Sequence, residues 1–234
     1  MLENKSFWIT GASRGVGRAI AEKLGAFGSE LFLSSRTPQN LLDTNTGSRT
    51  HYFSCDVSDI DSVEKTYQAI KSSCGCPDFL INNAGIAKFN PIYKASWEEV
   101  ETLISVNFKG IFNCTKAVLN DMLERKNGVI INISSVAAVE IFNNSAAYSA
   151  SKAAALTFSR TLRQECRKEG IKIIDVILGA TETDIWRKEV RIANAERMMK
   201  PSDVADAVVA VAELSLNPRM MLEEVSVRPQ LGNL

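Results

Sequence analysis

Seven short runs in this chain read as strands, and several of them are built to be covered on both sides. The spans 6–10, 30–34, 50–54, 79–82, 128–133, 171–177 and 223–227 are strand-like, and FWIT, LFLS and VIINI within them are apolar in succession rather than alternating. Such runs suit strands of a parallel sheet with helices on both faces. Helical stretches separate them, near 15–27, 59–73, 98–126, 147–169 and 201–215, with shorter ones after Pro38 and within 184–199. In TPQNLLDTNTG, Thr37 reads as a cap, Pro38 as the first helical residue and Gly47 as lying beyond the end. Strand and helix alternating along the whole chain predict an α/β fold, a doubly wound parallel sheet of about seven strands.

No linker or repeat divides the pattern, and 234 residues suffice for one sizeable core, so 1–234 is expected to be a single domain. The 27 basic and 27 acidic residues cancel, which leaves no global field to draw the chain to nucleic acid or an anionic membrane. MLENKSFWIT does not read as a secretory leader, and no apolar run has the length of a membrane span. Five cysteines, an odd count without paired C-x-x-C spacing, suit a reducing cytoplasmic setting. Cys74-Gly75-Cys76 reads as loop thiols rather than a redox or metal element. His51 is the sole histidine, which rules out histidine triads and multi-histidine zinc sites.

TGASRGVGRAIAEKLG follows the first strand directly, with Gly11, Gly15 and Gly17 leading into an amphipathic helix. Gly11 suits a turn of positive φ, Gly15 the close approach of a pyrophosphate, and Gly17 tight helix packing. The helix N-terminus then offers free amides to phosphate. This is a Rossmann-like arrangement, although the three residues between the first two glycines depart from G-x-G-x-x-G. Turn glycines with no ligand are the bland alternative. At the end of the second strand, where an acid would read an adenosine 2′-hydroxyl, the chain has Ser34-Ser35-Arg36-Thr37. Arg36 and Arg14 instead suit a 2′-phosphate, favouring NADP(H) over NAD(H), unless both are ordinary surface arginines.

AAYSASKAA sets Tyr148 and Lys152 four positions apart on one side of a helix. An ammonium near the phenol would favour phenolate and bring Tyr148 toward the working range of an acid and base. The strand VIINI ends upstream in Ser134-Ser135, at the carboxyl edge where ligand crevices of parallel sheets lie. Ser135 could there hydrogen-bond a substrate oxygen.

With these pieces on one chain, the sequence resembles the short-chain dehydrogenase/reductase family along essentially its whole length. The matching motifs are TGASRGVG at 10–17, CDV at 55–57, NNAG at 82–85, Asn107 in SVNFKG, ISS at 133–135 and YSASK at 148–152. The resemblance implies Tyr148 as proton donor, Ser135 as anchor of the substrate oxygen, Lys152 as holder of the nicotinamide ribose, and Asn107 as support for a water relay. It implies Asp56 and Val57 beside the adenine, and Asn83, Ala84 and Gly85 along the cofactor cleft with Ser13 and Val16 of the glycine loop. The family usually carries Pro-Gly and then a threonine after the sixth strand; here ILGATETDIW has Leu178 for the proline, with Gly179, Thr181 and Thr183 in register.

The expected reaction is hydride transfer between NADP(H) and a ketone or aldehyde, or the reverse oxidation, with a 3-oxoacyl thioester, a pteridine or another small carbonyl as candidate substrate. Substrate choice should fall to 136–147 and to 184–199, a mobile amphipathic lid or a surface helix. By the resemblance the protein is expected to form a homodimer or homotetramer. An NADP(H)-sensing regulator without turnover is the alternative, and a purely structural protein would leave the glycine loop unexplained.

Overall fold

The computed structural model describes residues 2–41, 46–47 and 49–232. Its seven strands are β1 (Ser6–Thr10), β2 (Glu30–Ser35), β3 (Thr50–Ser54), β4 (Phe79–Asn82), β5 (Gly128–Ser135), β6 (Ile171–Leu178) and β7 (Glu224–Val227). They form one parallel sheet in the order β3-β2-β1-β4-β5-β6-β7. The chain therefore reverses its direction of travel between β1 and β4, and a crevice opens there outside the carboxyl ends of the strands.

The helices are α1 (Gly15–Ala26), α2 (Ile60–Cys74), α3 (Trp97–Ile104), α4 (Gly110–Glu124), α5 (Ala146–Cys166), α6 (Lys188–Asn194) and α7 (Pro201–Ser215). One face of the sheet buries Phe7, Ile9, Leu31, Ile81, Ile131 and Val176 against α1 and α7. The other buries Trp8, Phe32, Leu80, Ile130 and Ile173 against α2, α4 and α5. Alternate residues of the same apolar strands thus feed two separate cores, which accounts for their unbroken hydrophobicity.

β2, β5 and β6 run one or two residues farther than their sequences predict. Ser135 pairs with Leu178, and Leu178 with Val227, so tertiary pairing carries the strands through serines that locally read as turn. The helix expected over 98–126 is interrupted: α3 starts with a capping box between Ser96 and Glu99, and a π-helical turn at Ser105–Lys109 separates it from α4. After Pro38 a 3-10 turn spans Pro38–Leu41, and the rest of that predicted helix lies outside the described residues at 42–45. Within 184–199 only α6 and a 3-10 turn at Ala195–Arg197 are helical.

A polar chain crosses the α4/α5 face. The Asn82 amide donates to Asn132 Oδ1 at 2.9 Å and to Thr115 Oγ1 at 3.2 Å, and Asn132 donates to Ser159 Oγ at 3.0 Å. Ser159 donates to Asp175 Oδ2 at 2.6 Å, and Arg163 reaches the same oxygen at 2.5 Å. Burial raises the Asp175 carboxyl to about 6 although Ser159 and Arg163 act to lower it. Among the described residues no helix is long and apolar enough to cross a membrane, and no group of three or more His, Cys, Asp or Glu side chains is placed to hold a metal.

Candidate active site

The carboxyl ends of β1 to β6 all open on one cleft of about 1430 Å³. At its β1 end, Gly11 and Gly15 have positive φ, 65° and 55°. A Cβ on Gly11 would lie 2.7 Å from Ala84 Cα, and one on Gly15 would lie 3.2 Å from Thr183 Cγ2. Gly11 and Gly15 are therefore pressed against the segments after β4 and β6, with no room for a side chain at Gly11 and little at Gly15. Gly17 is buried, where a Cβ would meet the Gly11 carbonyl at 2.5 Å, so its part is helix packing. Asn83 ties the two loops together: its amide donates to Thr10 O at 2.9 Å and Gly11 O at 3.1 Å, while Thr10 Oγ1 accepts from the Asn83 and Ala84 amides, each at 3.1 Å.

Ser13, Arg14, Val16, Arg36, Asp56 and Val57 line the β2/β3 end of the cleft, joined by Ser35, Thr37 and Asn40. Both arginines are exposed. Asp56 is engaged locally, its Oδ1 accepting from Ser58 N at 2.9 Å and Ser58 Oγ at 2.6 Å. Val57 O takes the Asn113 amide at 3.0 Å.

Toward the other end, Gly85, Ser135, Tyr148 and Lys152 line the cleft with Gly179, Thr181 and Thr183. Tyr148 and Lys152 project from α5 and both are buried. Lys152 Nζ donates to Ile133 O at 3.1 Å, and a Cβ on Gly85 would lie 3.6 Å from that nitrogen. Asn107 is fully buried behind the cleft in the π-helical turn; it accepts from Ile86 N and donates to Ile86 O and Ser151 Oγ, each at 2.9 Å. Ser151 in turn donates to Tyr148 O at 2.7 Å. Gly17 and Asn107 are the two expected residues that do not line the cleft.

The expected lowering of the Tyr148 phenol by Lys152 does not hold in this structure. Burial raises the phenol, and the lowering influence is the Ser135 hydroxyl. The same burial pulls Lys152 down to about 8, so the ammonium itself is destabilised and is tied to a carbonyl. The turn after β6 is held without a proline at 178. Gly179 N donates to Val227 O at 2.8 Å, Pro229 sits against Gly179, and Thr181 pairs with Met199 in a parallel bridge.

One group of contacts is not written in any motif. Phe89, after β4, stacks on Trp186 with centroids 5.3 Å apart and planes at 13°, and meets the Tyr148 ring edge-on at 5.5 Å and 68°. The Trp186 indole donates to Thr181 O at 3.0 Å. Apolar Trp186 in the 184–199 segment was the available signal, but its partner lies almost a hundred positions away.

The sequence profile of the short chain dehydrogenases matches residues 5–193. The chain belongs to that family. It is an oxidoreductase of the kind that interconverts alcohols and carbonyls. This short-chain dehydrogenase is 32% identical over 221 residues to the 3-oxoacyl-[acyl-carrier-protein] reductase of Vibrio harveyi, covering 90% of this chain and 91% of that one. It is 34% identical over 239 residues to the sepiapterin reductase of Chlorobaculum tepidum, covering 97% and 96% of the two chains. Its fold superposes on the crystal structure of a metagenomic short-chain oxidoreductase in complex with NADP with a TM-score of 0.84, at 30% identity and 98% coverage of each chain.

Proposed function

We propose that this short-chain dehydrogenase reduces a ketone or aldehyde with NADPH, or runs the reverse oxidation, with Tyr148 as the proton-bearing group. The observation that carries this reading is the convergence of Ser135, Tyr148 and Lys152 at one end of a cleft whose other end holds the closely packed Gly11 and Gly15, with Arg14 between them and Arg36 at the end of β2.

The cleft fits a dinucleotide on structural grounds. Gly11, Gly15 and the α1 N-terminus form a cradle that a Cβ would fill, suited to a pyrophosphate. Arg14 and Arg36 suit a 2′-phosphate, and among the described residues the acid that lines that end, Asp56, accepts hydrogen bonds from Ser58. The NADP carried by the metagenomic relative supports the same choice. Asn83, Ala84, Gly85, Gly179, Thr181 and Thr183 would line the nicotinamide half, with Lys152 on the ribose.

When bound, NADPH supplies the hydride for the carbonyl carbon. Tyr148, kept protonated by burial, holds its proton at the phenol oxygen and gives it to the substrate oxygen, leaving an alcohol. Ser135 donates a hydrogen bond to that same oxygen and steadies the charge developing on it. Asn107 orders the backbone beside Lys152, the place from which a relay of protons to solvent would run.

The relatives' names support a 3-oxoacyl thioester or a pteridine as starting substrates. Free thiols at all five cysteines support a reducing, cytoplasmic setting. Half-exposed Phe112, beside Phe108 and Phe158 on the α4/α5 surface, supports self-association into a homodimer or homotetramer. The deciding experiment is a fluorescence titration with NADPH and NADH, then absorbance of the reduced nicotinamide on adding carbonyl compounds. Tight NADPH binding with carbonyl-dependent oxidation is expected. Absence of binding to either nucleotide would overturn the reading, and binding with no oxidation across 3-oxoacyl, pteridine and aryl carbonyls would favour a sensor.

A further inference from the structure

Beyond the residues that would handle hydride and proton, the cleft has a wall and a rim with a definite chemistry. The wall is the Phe89–Trp186 pair. Its planes are nearly parallel, the indole is fixed by its bond to Thr181 O, and Phe89 continues edge-on to the Tyr148 ring. An aromatic surface that begins at the proton-bearing ring favours a flat, apolar body laid against it. Ile141, fully exposed, and Val190, 38% exposed, also line the cleft and leave apolar surface that such a body would cover.

The rim is cationic. Lys88, Lys94 and Arg187 all line this end of the cleft and are exposed. Lys94 lies over the Tyr93 ring at 5.8 Å, and Arg187 reaches Phe89 O at 3.5 Å, but among the described residues none of the three has a carboxylate partner. Among the described residues the single acid lining this end, Asp184, is paired with Arg191. In a chain whose total charge is zero, three unneutralised cations at one mouth form a local anion-attracting field.

We propose that the substrate is a carbonyl compound with a flat apolar body and an anionic group, the body against Phe89 and Trp186 and the anion on Lys88, Lys94 and Arg187. This rests on the carbonyl-reduction reading for the identity of the reacting group, but the recognition can be measured without turnover. A carboxylate on a small aryl ketone and a phosphate on a thioester carrier share the required chemistry.

The test is calorimetric binding of 4-acetylbenzoate, its methyl ester and acetoacetyl-CoA to the NADP⁺-saturated protein, in the wild type and in a Lys88→Ala/Arg187→Ala variant. An anionic probe should bind about five- to tenfold tighter than the ester, and the double substitution should bring that ratio close to one. A preference led by 4-acetylbenzoate would assign the anion to the small molecule itself, and one led by acetoacetyl-CoA to a carrier. Equal affinities for the ester and both anions, a ratio unmoved by the substitutions, or failure of all three probes to bind would overturn the proposal. If 4-acetylbenzoate binds as expected but oxidises no NADPH, while the other carbonyls are equally inert, the reduction reading fails and this recognition stands.

Discussion

Asn107 and Ile86 close a reciprocal pair of hydrogen bonds, side-chain carbonyl to backbone N–H and side-chain amide to backbone C=O, each 2.9 Å long. The asparagine thereby acts as a one-residue strand partner for the loop that leaves β4. Asn107→Leu would leave both backbone groups of Ile86 without these partners in a partly buried place and remove one of the two hydrogen bonds of Ser151, which keeps its bond to Tyr148 O. A loss of about 2–5 kcal/mol is expected from unsatisfied groups of this kind, measured as a fall in the urea midpoint. A variant as stable as wild type would show that the pair is dispensable.

Tyr148→Phe keeps the ring that meets Phe89 and removes only the phenol oxygen. Turnover should fall by at least about 10²-fold, the scale of a positioned proton donor, with NADPH affinity nearly unchanged. The check is steady-state oxidation of NADPH beside a nucleotide titration. Undiminished turnover would remove Tyr148 from the chemistry.

Lys152 should leave a mark on stability against pH. Burial takes its ammonium from 10.5 to about 8, so across that interval the unfolded chain holds a proton that the folded chain has released. Unfolding then takes up a proton, and the contribution of this group to stability rises with pH. The stability of wild type relative to Lys152→Met is expected to climb from pH 8 to 10, followed by urea titration of the nucleotide-free protein. The raised Tyr148 phenol and the raised cysteine thiols act in the opposite sense, but they are common to both proteins and drop out of the difference. A flat difference would mean the lysine is solvated as in the unfolded chain.

Arg36→Ser tests the adenosine end. Losing one charge-assisted contact to a 2′-phosphate should weaken NADPH by about ten- to hundredfold while NADH changes little. Fluorescence titration with both nucleotides reads the ratio, and parallel weakening of the two would show that Arg36 does not read the phosphate.

Arg163→Met removes one member of the buried pair with Asp175 and leaves an uncompensated carboxyl in the α4/α5 core. A cost of about 3–5 kcal/mol is expected, measured by urea unfolding at neutral pH. The loss should lessen near pH 5, where a carboxyl raised to about 6 is largely protonated.

What could be read from the sequence was what depends on neighbours along the chain. The glycine loop, the Tyr148/Lys152 spacing and the serine closing β5 each sit inside one short segment, and all face the cleft. The strand positions were legible for the same reason, because runs such as FWIT and VIINI declare themselves locally. The Phe89–Trp186 stack, the Ile86 and Ser151 partners of Asn107, and the π-helical break arise from packing between distant segments. The sign of the Tyr148 shift was missed because spacing reports the lysine but not the depth of burial, and burial is the larger influence.

The polar chain on the α4/α5 face has a consequence for how the strands find one another. Parallel strands made only of Val, Ile and Leu pair almost equally well when slid along their length, since each shift replaces one apolar contact with another. Asn82, Asn132 and Asp175 stand side by side across β4, β5 and β6, and all point away from the α1/α7 core. Sliding β5 or β6 by one residue would turn an amide or a carboxyl into that wholly apolar interior with no partner. The three side chains act as an alignment key, so that the mouth of the cleft is assembled from strand ends that can meet in one arrangement.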